Sequence, residues 1–244
     1  MIKKYNDQKA ASEAMAEDFK AIALKAVQEN DRFTLALTGG SSPLKLHEIL
    51  SSEPYKKSIP WEKCFVFWGD ERAVPFDDDQ NNAKMGYKTL LDHVAIPPDQ
   101  IFRMNNETAT EKAADEYEKQ LKEHFSNQEP SFDLILLGMG ADGHTASIFP
   151  GSEVVNEQTK WVSTGYNSEQ KTNRITLTAP LINKAKNIFF AVYGEGKAKT
   201  LLNVLYGEYN PELLPSQLIK PAPGKLYWYI DEEAGRFITK DKQV

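Results

Sequence analysis

Apolar residues recur along this chain in two rhythms, one helical and one extended. Ala11, Met15, Phe19, Ile22 and Ala26 fall at three- and four-residue spacing, which predicts an amphipathic helix over residues 7–29. Phe33 to Leu37 is a short apolar run between Arg32 and Thr38, the pattern of a buried strand. Pro43 to Leu50 reads as a helix, because proline suits a first helical turn where its missing N–H costs nothing. Cys64 to Trp68 repeats the strand pattern. Residues 69–80 read as an acidic loop, and a helix follows from Asn82 to about Leu91. Gln100 to Met104 reads as a short strand, Thr110 to Phe125 as a charged helix with one solvated face, and Leu134 to Leu137 as a further strand.

Beyond that point Trp161 to Thr164, Arg174 to Leu177 and Asn187 to Val192 read as strands, and Gly196 to Leu205 as a helix. Tyr206 to Pro223 is Pro-rich and reads as irregular, before a last strand at Leu226 to Ile230. The early half alternates strand and helix, which predicts an α/β fold with a parallel sheet covered on both faces. Repeats, low-complexity stretches and a clear linker are absent, so residues 1–244 are expected to form a single domain.

Composition narrows the ligand classes. The net charge is −6 and no basic block stands out, which argues against nucleic acid as a partner. A small anion needs only a few local cations and stays open. No run approaches a membrane span, and the N-terminus lacks an apolar signal segment. The single cysteine, Cys64, sits in a strand and is expected to be a buried, inert thiol in a reducing compartment. A cytoplasmic location is expected.

Residues 133–150 carry the strongest chemical signal. An apolar strand runs into a glycine-rich loop that ends on His144. Gly138, Gly140 and Gly143 match G-x-G-x-x-G, but that dinucleotide pattern needs a helix opening at the third glycine and an acid about 20 residues on. Pro150 and Gly151 close the segment instead, and the next apolar run ends without an acid, so no nicotinamide cofactor is expected. Metal ligands at workable spacing are absent, and so is a G-x-S-x-G elbow, which leaves His144 as a general base or acid. Asp142 either orients that histidine or stabilises the turn. His47, His93 and His124 read as surface residues.

Other strand-end loops offer anion sites. Thr38-Gly39-Gly40-Ser41-Ser42-Pro43 joins a strand to a helix, either as a cradle of backbone N–H groups and hydroxyls or as a tight turn whose serine caps the helix. Asp70-Glu71-Arg72 follows a strand; Arg72 suits a phosphate or carboxylate, or forms a local ion pair. Asn81 and Asn82 read as caps of the next helix, with a ligand contact as the other reading. Lys197 lies in a first helical turn, where a cation is unfavourable for the helix dipole, and reads either as a contact to a nearby anion or as a solvated lysine. Arg174, opening its strand, is a further anion contact.

Taken in order, Leu-Thr-Gly-Gly-Ser-Ser-Pro, Trp-Gly-Asp-Glu-Arg-Ala-Val-Pro, Gly-Ala-Asp-Gly-His-Thr-Ala-Ser-Ile-Phe-Pro and Gly-Glu-Gly-Lys resemble the 6-phosphogluconolactonase family. Asn173-Arg174-Ile-Thr and Trp228-Tyr-Ile-Asp231 also fit, so the similarity spans nearly the whole chain. Ser42 stands where threonine is usual, and Asn82-Ala83 where Asn-Tyr is usual. The resemblance implies a mainly parallel, Rossmann-like sheet with a few extra strands in the C-terminal half. It implies hydrolysis of 6-phospho-D-glucono-1,5-lactone without metal or cofactor, by a monomer or weak homo-oligomer. His144, with Asp142, would activate water. Arg72 and Lys197 would hold the phosphate, assisted by Gly39, Gly40, Ser41 and Ser42, with Asp70 and Arg174 in the same binding set.

Two other functions share the fold. Glucosamine-6-phosphate deaminases have similar first and histidine loops, but carry an acid before the proline where this chain has Ile148-Phe149-Pro150. Their second loop reads Met-Asp-Glu-Tyr where this chain has Gly69-Asp70-Glu71-Arg72. A non-catalytic sugar-phosphate sensor would be expected to carry a DNA-binding segment, for which the sequence before the first helix leaves no room.

Overall fold

The computed structural model describes residues 1–105, 108–126 and 129–239. In chain order the strands are β1 (Ile2–Tyr5), β2 (Phe33–Leu37), β3 (Cys64–Trp68), β4 (Asp70–Arg72), β5 (Leu134–Gly138), β6 (Val162–Asn167), β7 (Thr172–Leu177), β8 (Asn187–Val192) and β9 (Lys225–Asp231). The α-helices are α1 (Gln8–Asn30), α2 (Leu44–Leu50), α3 (Tyr55–Ser58), α4 (Asn82–Thr89), α5 (Thr110–His124), α6 (Ala179–Ile182) and α7 (Ala198–Tyr206). Six strands form a fully parallel sheet in the order β1-β9-β8-β5-β2-β3. The other three form a small antiparallel sheet, β4-β7-β6. This is the α/β architecture that the alternation of elements predicts.

Period-two alternation explains how the large sheet feeds two cores. Leu35, Leu37, Val66, Leu134, Leu136 and Phe189 face α1 and α2, where Met15, Phe19, Ala23, Leu46 and Leu50 close over them. Ala36, Phe67, Ile135, Leu137, Ile188 and Phe190 face the other way. There they meet Tyr117 and Leu121 of α5, Leu201 of α7, and Val162, Ile175 and Leu177 of the small sheet. Strands buried on both faces read as continuous apolar runs, which is why β2, β5 and β8 were legible. Helix α1 begins where Asp7 accepts the Ala10 N–H at 2.8 Å, and ends at Asp31 in the left-handed conformation. Because every strand of the large sheet runs the same way, the loops after β2, β3, β5 and β8 emerge at one edge.

Four expectations need correction. Residues 2–5 form an edge strand, β1; two lysines hide it, because an edge strand needs no apolar face on its open side. Gln100 to Met104 is not a strand: Pro97 and Pro98 bring the chain in through a tight 3₁₀ turn, and only Ile101 bridges to Val66. The loop at 69–80 opens with β4, whose pairing partner β7 lies a hundred residues away. His47 is fully buried and His124 half-buried among Phe65, Phe67, Phe102 and Phe125; only His93 is exposed as expected.

Candidate active site

The carboxyl edge of the parallel sheet opens into a cleft of about 210 Å³. Its walls come from four strand-end segments. After β2, Gly39, Gly40, Ser41 and Ser42 line one side. Gly40 has φ +77°, and α2 starts after Pro43 without any side-chain cap, so the reading of a serine cap is not what the turn adopts. Gly39 meets α4 closely: a Cβ there would stand 1.9 Å from Asn82 Oδ1.

Strand β4 turns Asp70 and Arg72 toward the cleft and Glu71 away from it, as alternation requires. Asp70 Oδ2 accepts from Ser147 Oγ at 2.7 Å, and the Asp70 carbonyl accepts from Asn82 Nδ2 at 3.0 Å. Arg72 Nη1 donates to the Gln80 carbonyl at 2.5 Å. Arg174 stands directly opposite Arg72 in the β4–β7 ladder, 2% exposed and outside the cleft lining. It donates to Gln170 Oε1. Burial, with the Arg72 charge adding to it, lowers the Arg174 guanidinium to about 10, which leaves it charged at neutral pH.

The glycine loop after β5 is braced from several sides. The Gly140 N–H donates to the His144 carbonyl at 2.9 Å and the Gly143 N–H to the Gly140 carbonyl at 3.1 Å. Gly143 has φ +86°, a conformation that favours glycine. Thr145 Oγ1 donates to the Gly138 carbonyl, Thr200 Oγ1 of α7 to the Ala141 carbonyl, and Ser216 N–H to the Gly143 carbonyl. Within this frame His144 Nδ1 lies 2.6 Å from Asp142 Oδ1, which also accepts the His144 N–H at 3.1 Å. An ionised carboxylate only accepts, so Nδ1 carries the hydrogen, and in the neutral imidazole Nε2 is the nitrogen with the lone pair. Burial pushes the Asp142 carboxyl up, but its hydrogen bonds from His144 outweigh that and hold it below the usual carboxylate value. The Phe149 ring packs against the imidazole with centroids 4.7 Å apart.

Lys197 completes the cleft from the loop after β8. It ends a 3₁₀ turn, Glu195–Lys197, just before α7. Gly194, at φ +89°, starts that turn, and its N–H is held by the Asp231 carboxylate at 3.0 Å. Burial lowers the Lys197 ammonium, with Asp231 acting in the opposite sense.

Eight of the ten residues singled out in the sequence therefore line one cleft, and the other two, Asp142 and Arg174, stand behind His144 and Arg72. Asn82 also lines the cleft, in line with the second of its two readings, a ligand contact, rather than the helix cap. Asn81 takes the capping role, accepting from the Lys84 N–H at 2.8 Å, and that frees Asn82 to face the cleft. Glu71 and Ser147 lie inside the quoted motifs, but sequence reasoning gave neither a role of its own. Among the described residues no group of three or more His, Cys, Asp or Glu side chains is arranged to hold a metal ion, and no helix is long and apolar enough to cross a membrane.

Fold and cleft together define the class: an α/β protein with a cleft at the carboxyl edge of a parallel sheet, where open α/β sheets bind ligands. The chain belongs to the family of glucosamine-6-phosphate isomerases and 6-phosphogluconolactonases, whose model matches residues 6–228. A 6-phosphogluconolactonase of Synechocystis sp. is 39% identical over 215 residues, which are 86% of this chain and 87% of the relative. A probable chloroplastic 6-phosphogluconolactonase 3 of Oryza sativa subsp. indica is 38% identical over 241 residues, or 94% of this chain and 73% of that one. The solved 6-phosphogluconolactonase from Trypanosoma cruzi superposes with a TM-score of 0.86 at 29% identity, covering 98% of this chain and 96% of the other.

Proposed function

We propose that this chain is a 6-phosphogluconolactonase: it hydrolyses 6-phospho-D-glucono-1,5-lactone to 6-phospho-D-gluconate, a step of the oxidative pentose phosphate pathway. The observation that carries the reading is the His144–Asp142 pair, 2.6 Å apart, in a cleft that Arg72 and Lys197 also line. The relatives named above support the same chemistry.

The steps follow from the groups present. The substrate phosphate lies against the Arg72 guanidinium, whose planar fork matches phosphate oxygens, and against the Lys197 ammonium. Ser41, Ser42 and the glycine turn add donors. Asp70, with one oxygen held by Ser147, accepts from a sugar hydroxyl. Arg174 adds positive potential behind Arg72. His144 Nε2 takes a proton from water as the water oxygen attacks C1. The imidazolium, held by Asp142, returns that proton to the ring oxygen as the C1–O bond breaks. One water is consumed and one carboxylic acid is released. General acid–base catalysis of this kind contributes roughly 10²–10⁴-fold, which suffices for a lactone that already hydrolyses in water. A deaminase must also move protons between C1, C2 and the ring; Ile148 is fully buried in this chain where that chemistry places an acid nearby.

The reading takes the chain to act as a monomer or weak homo-oligomer. Both sheets share one core, which supports a single functional domain over residues 1–244. A cytoplasmic location accords with the one buried thiol, Cys64, although the rice relative is named as chloroplastic. Freshly generated lactone and glucosamine 6-phosphate, assayed side by side, test the reaction. Acid release from the lactone is expected; ammonia release without acid would replace the lactonase with a deaminase.

A further inference from the structure

Two elements that line the cleft meet at one buried carboxylate that faces away from it. Glu71, 1% exposed, lies between Asp70 and Arg72 on β4. Its Oε1 accepts the backbone N–H of Arg72 at 2.7 Å and that of Asn82 at 2.8 Å; its Oε2 accepts the Ala83 N–H at 2.8 Å. Two of these donors belong to cleft-lining residues on different elements, Arg72 on β4 and Asn82 at the start of α4. The first N–H groups of a helix have no partner within it, and a carboxylate suits that end. Glu71 therefore completes the cap that Asn81 begins: Asn81 takes the Lys84 N–H and Glu71 those of Asn82 and Ala83, while its third bond, to the Arg72 N–H, reaches outside the helix.

What Glu71 adds is a tie across elements. The Asn82 carboxamide, fixed through its backbone, bonds the Asp70 carbonyl at 3.0 Å and fills the space beside Gly39. Arg72, Asn82 and the Gly39 turn are thus set relative to one another through one side chain. The position is costly for an acid: burial pushes the carboxyl up to about 7, with Asp70 adding to the rise, and the three N–H bonds only partly offset this. Tyr117 and Arg174 are the other titratable groups that sense its charge.

We infer that Glu71 is the positioning residue of the anion-binding half of the cleft, locking Arg72 and Asn82 into one rigid set against the Gly39–Ser42 turn. The inference rests on Arg72 as a phosphate ligand. Full-length Glu71→Gln and Glu71→Asp are compared with wild type on phosphogluconolactone and on unphosphorylated D-glucono-1,5-lactone, with inorganic phosphate as a competing anion. Glutamine keeps the shape but turns an amide N–H toward other donors. Aspartate keeps the charge, withdraws it by one methylene, and decides the matter if the glutamine variant does not fold. KM for the phosphorylated lactone and the inhibition constant of phosphate rise roughly tenfold or more, as expected for loosened charge-assisted bonds. The kcat stays within about threefold, and KM for the plain lactone moves far less. Equal losses on both lactones, tracking the folded fraction, would make Glu71 a folding residue only and overturn the inference. Arg72→Ala separates the two readings. If it raises KM selectively while neither Glu71 variant does, the inference falls and the phosphate reading stands. If it does not raise KM selectively, both fall.

Discussion

His144 Nδ1 and Asp142 Oδ1 stand 2.6 Å apart because the residue beneath them, Gly140, has no side chain. A Cβ at that position would lie 2.2 Å from Nδ1 and 2.4 Å from Oδ1. Gly140→Ala is therefore expected to push the pair apart while leaving the sheet intact. Misplacing a catalytic group by about 1 Å can cost on the order of 100-fold, so kcat should fall by about that much with little change in KM. His144→Ala sets the floor, roughly 10²–10⁴-fold below wild type. Steady-state kinetics on freshly made lactone measure both. A Gly140→Ala enzyme with wild-type kcat would show that hydrolysis does not depend on this pairing.

Gly39 plays the matching part on the opposite wall. Its absent Cβ would stand 1.9 Å from Asn82 Oδ1, a fixed carboxamide rather than a flexible chain end. Gly39→Ala must displace either the turn or Asn82, and neither carries the imidazole. The expected outcome is a KM for the phosphorylated lactone raised roughly tenfold with kcat nearly kept, the signature of lost uniform binding. A loss confined to kcat would place the turn next to the reacting carbonyl instead.

Arg72 and Arg174 oppose each other across an antiparallel pair, and like charges in that relation destabilise a sheet. If the cleft is the anion site proposed above, an anion bound there relieves the repulsion and binds only the folded state. Inorganic phosphate should raise Tm in proportion to its binding free energy, about 2.7 kcal/mol at 100 times its Kd. Arg72→Ala should blunt that rise, and added sodium chloride at equal ionic strength should not reproduce it. Thermal melts at increasing phosphate decide it; a response identical in wild type and Arg72→Ala would remove Arg72 from the anion site.

Much of this site was legible because its residues lie directly after apolar strands. Leu134 to Leu137 announced the loop that carries His144, and Phe33 to Leu37 the turn at Gly39, so the parallel sheet and most of the cleft follow from local pattern. What escaped was non-local. Strand β4 is three charged residues whose pairing depends on β7. Asn82 faces the cleft because its neighbour caps the helix, a choice that two adjacent asparagines do not reveal. Glu71 looks like any surface acid in Asp-Glu-Arg, since its burial depends on α4 folding back onto β4. His47 follows a lysine and a leucine on a short helix, and its bond to Thr89 of α4 is a long-range contact that no local pattern announces.

His47 links that misreading to acid stability. It is fully buried, with Nδ1 2.7 Å from Thr89 Oγ1. Thr89 donates its own hydrogen to the Met85 carbonyl at 2.8 Å, so Nδ1 must be the donor to it. Nε2 is buried without a hydrogen-bond partner, and a proton there would be an uncompensated charge. Burial accordingly lowers the imidazole from 6.5 to about 4. The unfolded chain takes up a proton below about 6.5, while the folded chain refuses it until about 4. Stability is then complete above pH 6.5 and falls through that window by about 1.4 kcal/mol per pH unit, roughly 3 kcal/mol in all. His124, half-buried and also lowered to about 4 by burial and then Arg32, adds a smaller loss over the same range. His47→Asn keeps a donor toward Thr89 and removes the titration. It should be less stable at pH 7 through lost packing, yet show a shallower decline between pH 6.5 and pH 4, by up to about 1.4 kcal/mol per unit. Urea unfolding at pH 7, 6 and 5 measures that slope; parallel declines in the two proteins would mean that the folded state already accepts a proton at His47.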